Sequence, residues 1–178
     1  MITRQIAFAG QNSPKLMGMR TDQQFTQLYR EQLPLITRYL LRRTETSAVE
    51  DLCSEVFEIA WAKRQSAPEG FELAWLYRIS GHVVSNHRRK IARENAFIAS
   101  LKEPNSAPSA EALAIADLTL SEAWKQLSSA EQSVLAITAF EGLGTAEAAL
   151  ALGISANAVS VRLHRARAHL SELLEFEE

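Results

Sequence analysis

Three acidic residues in the first third of the chain form the first grouping that could carry chemistry. Asp51, Glu55 and Glu58 stand at spacings of four and three residues, which places them on one face of a helix. Carboxylates one turn apart repel each other, so such a face is either solvated, which is the default, or bound to a basic partner. No nucleophile, Gly-rich phosphate loop or metal-ligand spacing accompanies them, and we therefore predict that the protein is not an enzyme.

The histidines and the single cysteine give little support for a metal or redox site. His82 and His87 are five residues apart, a separation that does not align them on a helix face. Cys53 cannot form an internal disulfide, and a lone cysteine is more often a small buried hydrophobe than a reactive thiol. We predict neither a metal nor another cofactor, and the cysteine content suits a reducing cytoplasm.

A run of cations that follows two aromatic residues is the second grouping. Between Leu73 and Arg93 there are five basic residues and no acidic one, and Trp75 and Tyr77 precede the cations. Aromatic rings stack on unpaired bases while cations follow the phosphate backbone, a combination that suits single-stranded nucleic acid. Aromatic residues in a helix are usually core, however, and a basic helix end is usually solvated. From the residues alone we favour a core position for Trp75, whereas both interpretations stay open for Arg88, Arg89 and Lys90.

The segment from Thr145 to Leu170 has the pattern of a helix-turn-helix, in which the second helix enters the DNA major groove. We predict that Thr145 caps the first helix, that Gly153 ends it in a left-handed conformation, and that Ser155 caps the second. One face of the second helix is apolar and consists of Val159, Leu163, Ala166 and Leu170. The opposite face consists of Asn157, Ser160, Val161, His164 and Arg165 and would be free to contact DNA.

Arginine on that polar face is the best candidate for reading a base sequence. Arg165 can donate two hydrogen bonds to guanine, whereas Arg162 and Arg167 suit phosphate contacts that fix the register. Further candidates on this helix are Asn157, Ser160 and His164. The alternative is a helical hairpin with a solvated arginine face, because two helices joined by a glycine turn are common in proteins that never bind DNA.

Composition and periodicity predict an all-α protein. The 178 residues carry a formal charge of -2, are 47% hydrophobic and include 7 glycines and 5 prolines, which excludes wholly disordered and collagen-like chains. Apolar residues recur at helical spacing, and no alternating run or hairpin turn indicates a strand. No apolar run reaches the roughly 18 residues that a membrane helix needs, and the start lacks an export signal, so we expect no membrane insertion.

Two prolines within 103–109 interrupt the helical pattern and divide the helices into two small domains joined by a flexible linker. Helices are predicted at 22–44, where Pro34 would kink or split the first one, at 49–63, 72–99, 113–127 and 130–140, and on both sides of Gly153. The predicted organisation is an extension at 1–20, a first domain at 21–97, a linker at 98–118, a second domain at 119–174 and an acidic tail at 175–178.

Three motifs, in this order, resemble the small extracytoplasmic-function (ECF) sigma factors of bacterial RNA polymerase, which belong to the sigma-70 family. The first motif is Glu50-Asp51-Leu52-Cys53-Ser54-Glu55-Val56-Phe57, similar to the family's Glu-Asp-Leu-x-Gln-Glu-Val-Phe. The second is Ala74-Trp75-Leu76-Tyr77-Arg78-Ile79, and the third runs from Gly153-Ile154-Ser155 to Arg165-Ala166-Arg167. The resemblance implies an alternative sigma factor, which directs core polymerase to promoters and helps melt the DNA there.

The resemblance also implies a role for each grouping. The acidic helix would bind the polymerase clamp helices through Glu50, Asp51, Glu55 and Glu58, with Phe57 and Trp61 supporting it from the core. The minus-ten element would be bound by Trp75, Tyr77, Arg78, Asn86, Arg88, Arg89 and Lys90, with the loop at 66–71 holding flipped bases. The second domain would bind the polymerase flap through 130–140 and read the minus-thirty-five element through Asn157, Ser160, Arg162, His164, Arg165 and Arg167. An anti-sigma factor is a further partner that such proteins commonly have.

The chain departs from the family pattern at positions expected to face nucleic acid. Gly81-His82 stands where Arg-Asn is common, and Ser160-Val161 stands where Lys-Ser is common. These departures motivate one alternative, an interaction protein that has kept the fold and lost promoter binding. The other alternative is a helix-turn-helix regulator that binds duplex DNA without core polymerase, and a gel shift without polymerase separates it from a sigma factor.

Overall fold

Within residues 21–101 and 118–175, which the computed structural model describes, the chain forms seven α-helices and no strand. The first three helices are α1 (Asp22–Leu41), α2 (Val49–Ala62) and α3 (Glu72–Leu101). The other four are α4 (Leu118–Gln126), α5 (Ser129–Leu135), α6 (Thr145–Leu152) and α7 (Ala156–Glu175), and a π-helical turn at Ala136–Phe140 continues α5. The all-α prediction is confirmed, whereas the predicted extension at 1–20 and most of the predicted linker lie outside the described residues.

Helices α1 to α3 form a first bundle around a continuous apolar core. Ile36 and Leu40 of α1, Val56 of α2 and Leu76 of α3 have no exposed surface. Full burial of a side chain of this size stabilises the folded state by about 1.5 to 3 kcal/mol. Arg89, Lys90 and residues 92–96 of α3 are exposed, so this part of the helix extends beyond the apolar core and is accessible to a partner.

The helix α1 runs through Pro34 without a break. Proline removes one backbone hydrogen bond and crowds the preceding turn, which is why a split helix was a reasonable expectation. Ile36 and Leu40 lie beyond the proline and are both fully buried, and their packing stabilises the helical conformation of the second half. Tertiary packing therefore outweighs the local effect of the proline.

Helices α4 to α7 form a second bundle with small residues at its centre. Val134, Ala148, Val159 and Ala166 are fully buried. Alanine in α6 adds little bulk, so the neighbouring helices can approach closely. The helix α6 packs against α5 and α7 and also against α3 of the first bundle, so the two bundles are in direct contact in this structure.

The ends of the helix-turn-helix agree with the sequence prediction except at Thr145. Ser155 caps α7, since its hydroxyl accepts a hydrogen bond from the Ala158 N–H at 3.1 Å, and Gly153 has the predicted left-handed φ of 67°. The residue that precedes α6 is Gly144, whose N–H donates to the Glu147 carboxylate at 2.8 Å. Because the Glu147 carboxylate bonds the residue three positions before it, the N-cap of α6 is Gly144 and not Thr145.

The capping box at the start of α5 predicts an acid-sensitive contribution to stability. Hydrogen bonds from the Ser128 hydroxyl and backbone N–H, and a further one from His169, lower the pKa of Glu131 from 4.5 to about 2. The ionised form of Glu131 is therefore favoured in the folded state, and its contribution is present above pH 4.5 and lost as the pH falls towards 2. We expect Ser128→Ala to lower the free energy of unfolding by about 1 kcal/mol near neutral pH.

The measurement is urea denaturation followed by circular dichroism, repeated as the pH is lowered. The difference between wild type and Ser128→Ala should shrink on acidification, because protonated Glu131 no longer prefers the capped geometry. Ser133→Ala is the matched control, since the Ser133 hydroxyl donates to the Ser129 carbonyl oxygen within the same helix. A Ser128 difference that stays constant down to the pKa of Glu131 would contradict this account.

Candidate functional site

The four carboxylates of the predicted polymerase-binding surface lie exposed on α2. Glu50, Asp51, Glu55 and Glu58 all have solvent-accessible side chains. The opposite face of the helix is apolar, and Leu52, Cys53, Val56, Phe57 and Ala60 are buried on it. The helix is therefore anchored by one face and presents negative charge on the other, as the spacing predicts. We call Glu50, Asp51, Glu55 and Glu58 the acidic face.

The two aromatic residues expected to support the acidic face from the core differ in position. Phe57 is buried and its ring meets Tyr29 edge-on at 4.7 Å. Trp61 is 38% exposed, with Phe25 on one side at 5.0 Å and the Arg64 guanidinium over its ring at 3.8 Å. The expectation holds for Phe57 but not for Trp61, because Trp61 lies at the last turn of α2, where the core ends.

Two of the residues predicted to contact the minus-ten element are buried in the first bundle. Trp75 is 8% exposed and Tyr77 is 2% exposed. The Tyr77 ring lies 5.0 Å from the Tyr39 ring. Neither Trp75 nor Tyr77 can stack on a base in this conformation, because both rings fill the space between the helices. The core interpretation of these aromatic residues therefore applies, and their effect on a ligand is indirect.

The other residues predicted for the same element are polar and all belong to α3. Arg78, Asn86, Arg89 and Lys90 are exposed and Arg88 is half-buried. Asn86 accepts a hydrogen bond from Arg89 at 2.7 Å, and Arg88 donates to the Arg43 carbonyl oxygen at 3.1 Å. These bonds orient the Arg88 and Arg89 side chains. We call Arg78, Asn86, Arg88, Arg89 and Lys90 the basic row.

A groove of about 730 Å³ runs between the basic row and the second bundle. Arg78, Arg88 and Arg89 line it on one side, and residues 151–153 line it on the other. Gly153 lies so close that a β-carbon placed on it would be 3.7 Å from the Arg78 guanidinium. The turn of the helix-turn-helix is therefore a direct neighbour of the basic row.

Gly81 lies within α3 where the family pattern has arginine, and the structure leaves room for a side chain there. A β-carbon added to Gly81 would meet the Tyr39 hydroxyl oxygen at 3.6 Å, an ordinary contact. Alanine costs a helix about 1 kcal/mol less than glycine does. We expect Gly81→Ala to raise the melting temperature by roughly 2 to 4 °C.

Thermal denaturation followed by circular dichroism measures this effect, and a second glycine supplies the control. Gly153 has a φ of 67°, which a side chain opposes, so Gly153→Ala should lower the melting temperature. Opposite signs at the two positions are the expected result. A decrease at both would show that Gly81 is required by packing against Tyr39.

The helix-turn-helix has the geometry that groove binding requires. The helices α6 and α7 meet at 99°, within the range found in DNA-binding examples. Val159 and Ala166 are fully buried, and Leu163 and Leu170 pack against the core, so the predicted apolar face is confirmed. The predicted contact residues on the outer side are all exposed, and these are Asn157, Ser160, Arg162, His164, Arg165 and Arg167.

Two details of α7 bear on which residues of its outer side can contact a base. The Ser160 hydroxyl donates to the Ala156 carbonyl oxygen at 3.1 Å, which satisfies it within the helix and weakens its case as a base contact. Val161 is 41% exposed on the outer side, and an apolar side chain there can pack against the methyl group of thymine. Its departure from the family pattern was visible in the sequence and is the signal that points to it.

One hydrogen-bonded cluster between the bundles was not predicted from the sequence. Glu141 lies just after the π-helical turn and bonds Arg42, Arg43 and Tyr77 of the first bundle. Its partners precede it by 64 to 99 residues, a separation at which no periodic pattern signals a contact. Among the described residues there is no group of three or more potential metal ligands.

The part of the chain that the structure describes contains no single helix that is long and apolar enough to span a membrane. One bent pair, Thr145–Leu152 with Ala156–Glu175, passes by length and composition alone. These are the two helices of the helix-turn-helix.

Family models match both bundles in the order in which the motifs occur. The model described as Sigma-70 region 2 matches residues 28–94, and the model described as Sigma-70, region 4 matches residues 118–170. The first range contains the acidic face and the basic row. The second contains the helix-turn-helix.

Characterised relatives are similar over most of the chain. The ECF RNA polymerase sigma factor SigL of Mycobacterium tuberculosis is 30% identical over 146 residues, which cover 78% of this chain and 82% of that protein. The RNA polymerase sigma factor CnrH of Cupriavidus metallidurans is 32% identical over 140 residues, which cover 71% and 73% of the two chains.

Two solved structures are similar across both bundles. CnrH in complex with the cytosolic domain of CnrY matches with a TM-score of 0.56 and 26% identity, over 89% of this chain and 92% of that one. The sigma factor RpoE of Bartonella quintana, in complex with the anti-sigma factor NepR, matches with a TM-score of 0.64 over 88% of this chain and 99% of that one. At 24% identity, the RpoE match shows a shared fold.

Proposed function

The chain belongs to the extracytoplasmic-function group of the sigma-70 family, and from this premise we propose how its surfaces divide the work of transcription initiation. It is an alternative sigma factor, whose partners are core RNA polymerase and promoter DNA. The helix-turn-helix regulator that acts without polymerase is not favoured, since such a protein leaves the region 2 match without a role.

The acidic face is the proposed contact with the clamp helices of core polymerase. Four exposed carboxylates on a helix anchored by its apolar side support this assignment. An exposed face of one charge is complementary to a basic partner and accelerates its encounter. Asp51 and Glu55 are one turn apart near the middle of this surface and are the residues on which we expect binding to depend most.

The basic row and the loop at 66–71 are the proposed surface for the minus-ten element. Cations of α3 would follow the phosphate backbone of the melted strand, and the loop would hold bases turned out of the stack. Trp75 and Tyr77 are assigned an indirect role, because their burial suits fixing the position of α3 and not touching the bases. Unstacking costs a few kcal/mol per base, which a rigid α3 can offset through preformed contacts.

The outer side of α7 is the proposed surface for the minus-thirty-five element. Arg165 is assigned to a guanine edge, and Arg162 and Arg167 are assigned to phosphates. Asn157, Ser160 and His164 complete the surface. The segment at 130–140 is the proposed contact with the polymerase flap, which would place α7 over the upstream promoter.

The proposed domain boundaries follow the sequence prediction: a polymerase and minus-ten domain at 21–97, a linker at 98–118 and a minus-thirty-five domain at 119–174. The similar chains RpoE and CnrH were solved with NepR and with the cytosolic domain of CnrY. We extend this to the present chain and propose that an anti-sigma factor regulates it. The proposed site of action is the cytoplasm, where core polymerase works.

Two findings on one chain carry the proposal, namely an exposed acidic face in the region 2 match and a helix-turn-helix in the region 4 match. The test is transcription reconstituted from the purified chain, core polymerase and a library of genomic fragments. Defined transcripts should require both proteins, and the chain alone should shift duplex DNA poorly, because its overall charge is close to balanced. Tight binding to duplex DNA without polymerase, together with no transcript, would overturn the proposal.

A further inference from the structure

A single buried carboxylate joins the two bundles. The Glu141 side chain has no exposed surface. Its oxygens accept hydrogen bonds from Arg42 Nη2 at 2.5 and 2.6 Å, from Arg43 Nη1 at 3.2 Å and from the Tyr77 hydroxyl at 3.2 Å. All three donors belong to the first bundle, whereas Glu141 belongs to the second. Burial of Tyr77, with the Glu141 carboxylate beside it, raises the pKa of the phenol, so the hydroxyl remains a donor.

The first bundle holds its donors in place through contacts of its own. The Arg43 guanidinium lies over the Tyr39 ring at 3.7 Å and donates to the Tyr39 carbonyl oxygen. Arg88 donates to the Arg43 carbonyl oxygen at 3.1 Å, and the Tyr77 ring packs at 5.0 Å from Tyr39. Donors that are already positioned lose little conformational freedom when they bind an acceptor. The first bundle therefore presents a preformed socket for Glu141.

The backbone of the second bundle explains how Glu141 reaches this socket. Its N–H bonds the Ala136 carbonyl oxygen at 3.3 Å, five residues back, which closes the π-helical turn. Gly142 then takes a left-handed φ of 69° and ends the helix. A π-turn inserts one extra residue and changes the direction of the side chains that follow, and such turns are frequent at functional positions.

The contact has the energetics of a latch. A carboxylate with no exposed surface depends on its partners, because a buried charge that loses them is strongly destabilised. The bundles must therefore either keep the whole cluster or separate far enough for Glu141 to be hydrated. At intermediate separations the carboxylate would have neither water nor its hydrogen-bond partners. This favours two discrete states, one with the bundles in contact and one with them well separated.

The closed arrangement cannot serve both promoter elements at once. The minus-ten and minus-thirty-five elements are about 25 base pairs apart, or about 85 Å of duplex at ~3.4 Å per base pair. A compact chain of 178 residues has a radius of gyration of about 16 Å. The two bundles must therefore separate before the basic row and α7 can each occupy its own element.

We propose that Glu141, seated among Arg42, Arg43 and Tyr77, is an intramolecular latch that holds the free chain closed and limits how much of it can bind polymerase productively. This inference rests on the proposed function and assigns a regulatory device to it. When the competent state is a minor fraction of the protein, the apparent affinity falls by that fraction. Opening the latch should therefore strengthen binding without any new contact with polymerase.

The test combines a distance with an affinity. Spin labels at Ser47→Cys in the first bundle and Ser171→Cys in the second, both in a Cys53→Ser background, report the separation of the bundles in the full-length chain. Wild type should give one short distance, and Glu141→Arg should give a longer and broader distribution. Arg42→Glu combined with Glu141→Arg should restore the short distance, and Glu122→Gln, an exposed position on α4, should leave it unchanged.

Affinity for core polymerase is then measured by competition with a labelled sigma factor. If the open state holds about 10% of the wild-type population or less, Glu141→Arg should bind roughly tenfold more tightly or better. An unchanged distance in Glu141→Arg, with helix content intact by circular dichroism, would overturn the latch. A longer distance with no gain in affinity would overturn its regulatory role. If neither wild type nor any variant binds polymerase, the proposed function is wrong. The distance measurements still show whether Glu141 holds the two bundles together.

Discussion

Asp51→Arg is expected to lower the affinity for core RNA polymerase by roughly 100-fold, equivalent to about 2.8 kcal/mol. Asp51 is exposed on the first half of α2, one turn before Glu55. A positive charge at this position faces the basic partner that the acidic face is proposed to bind, so attraction becomes repulsion. The substitution leaves the buried side of α2 untouched, and the bundle should fold normally apart from a small effect of charge near the helix start.

The measurement is binding of labelled chain to purified core polymerase, with Glu55→Arg as a second variant on the same face. Glu55 lies further from the helix start, so its reversal separates partner binding from the helix-dipole effect. Glu31→Arg is the matched control, since Glu31 is an exposed carboxylate on α1. Equal losses for Glu31→Arg and Asp51→Arg would show that net charge, and not the acidic face, governs binding.

Most of the helical framework was predictable because each helix buries one face. The spacing of Val159, Leu163, Ala166 and Leu170 indicated the inner side of α7, and the structure buries that side. The exposure of the acidic face followed from the same periodicity. Burial at helical spacing is a local property of the chain, so a single sequence carries it.

Properties that depend on distant partners were not predictable in the same way. The residue types around Trp75 and Tyr77 were compatible with both base stacking and core packing, and only the arrangement of α1 against α3 decides between them. The position of Glu141 depends on a π-turn and on three donors in the other bundle. A hydrogen-bond cluster of this kind has no spacing rule, so the sequence did not indicate that its members meet.

Arg165→Ala is the other variant for which we expect a large effect, and the effect should be on promoter choice. Arg165 is exposed on the outer side of α7, opposite the buried Val159 and Ala166. A guanidinium that donates two hydrogen bonds to guanine contributes about 1 to 3 kcal/mol of discrimination, or roughly 5- to 150-fold between the preferred base and its replacements. Alanine at this position should remove that preference at one base pair and leave neighbouring positions as they were.

Arg162→Ala distinguishes a contact with a base from a contact with the phosphate backbone. A phosphate contact contributes equally to every sequence, so Arg162→Ala should weaken all promoters alike and reduce the salt dependence of binding by about one ion. The measurement is holoenzyme binding to a panel of promoters changed one base pair at a time in the minus-thirty-five element, at several salt concentrations. If Arg165→Ala weakened the whole panel uniformly, Arg165 would belong with the phosphate contacts, and base reading would pass to the remaining exposed residues of α7, with Val161 against a thymine methyl the first to examine.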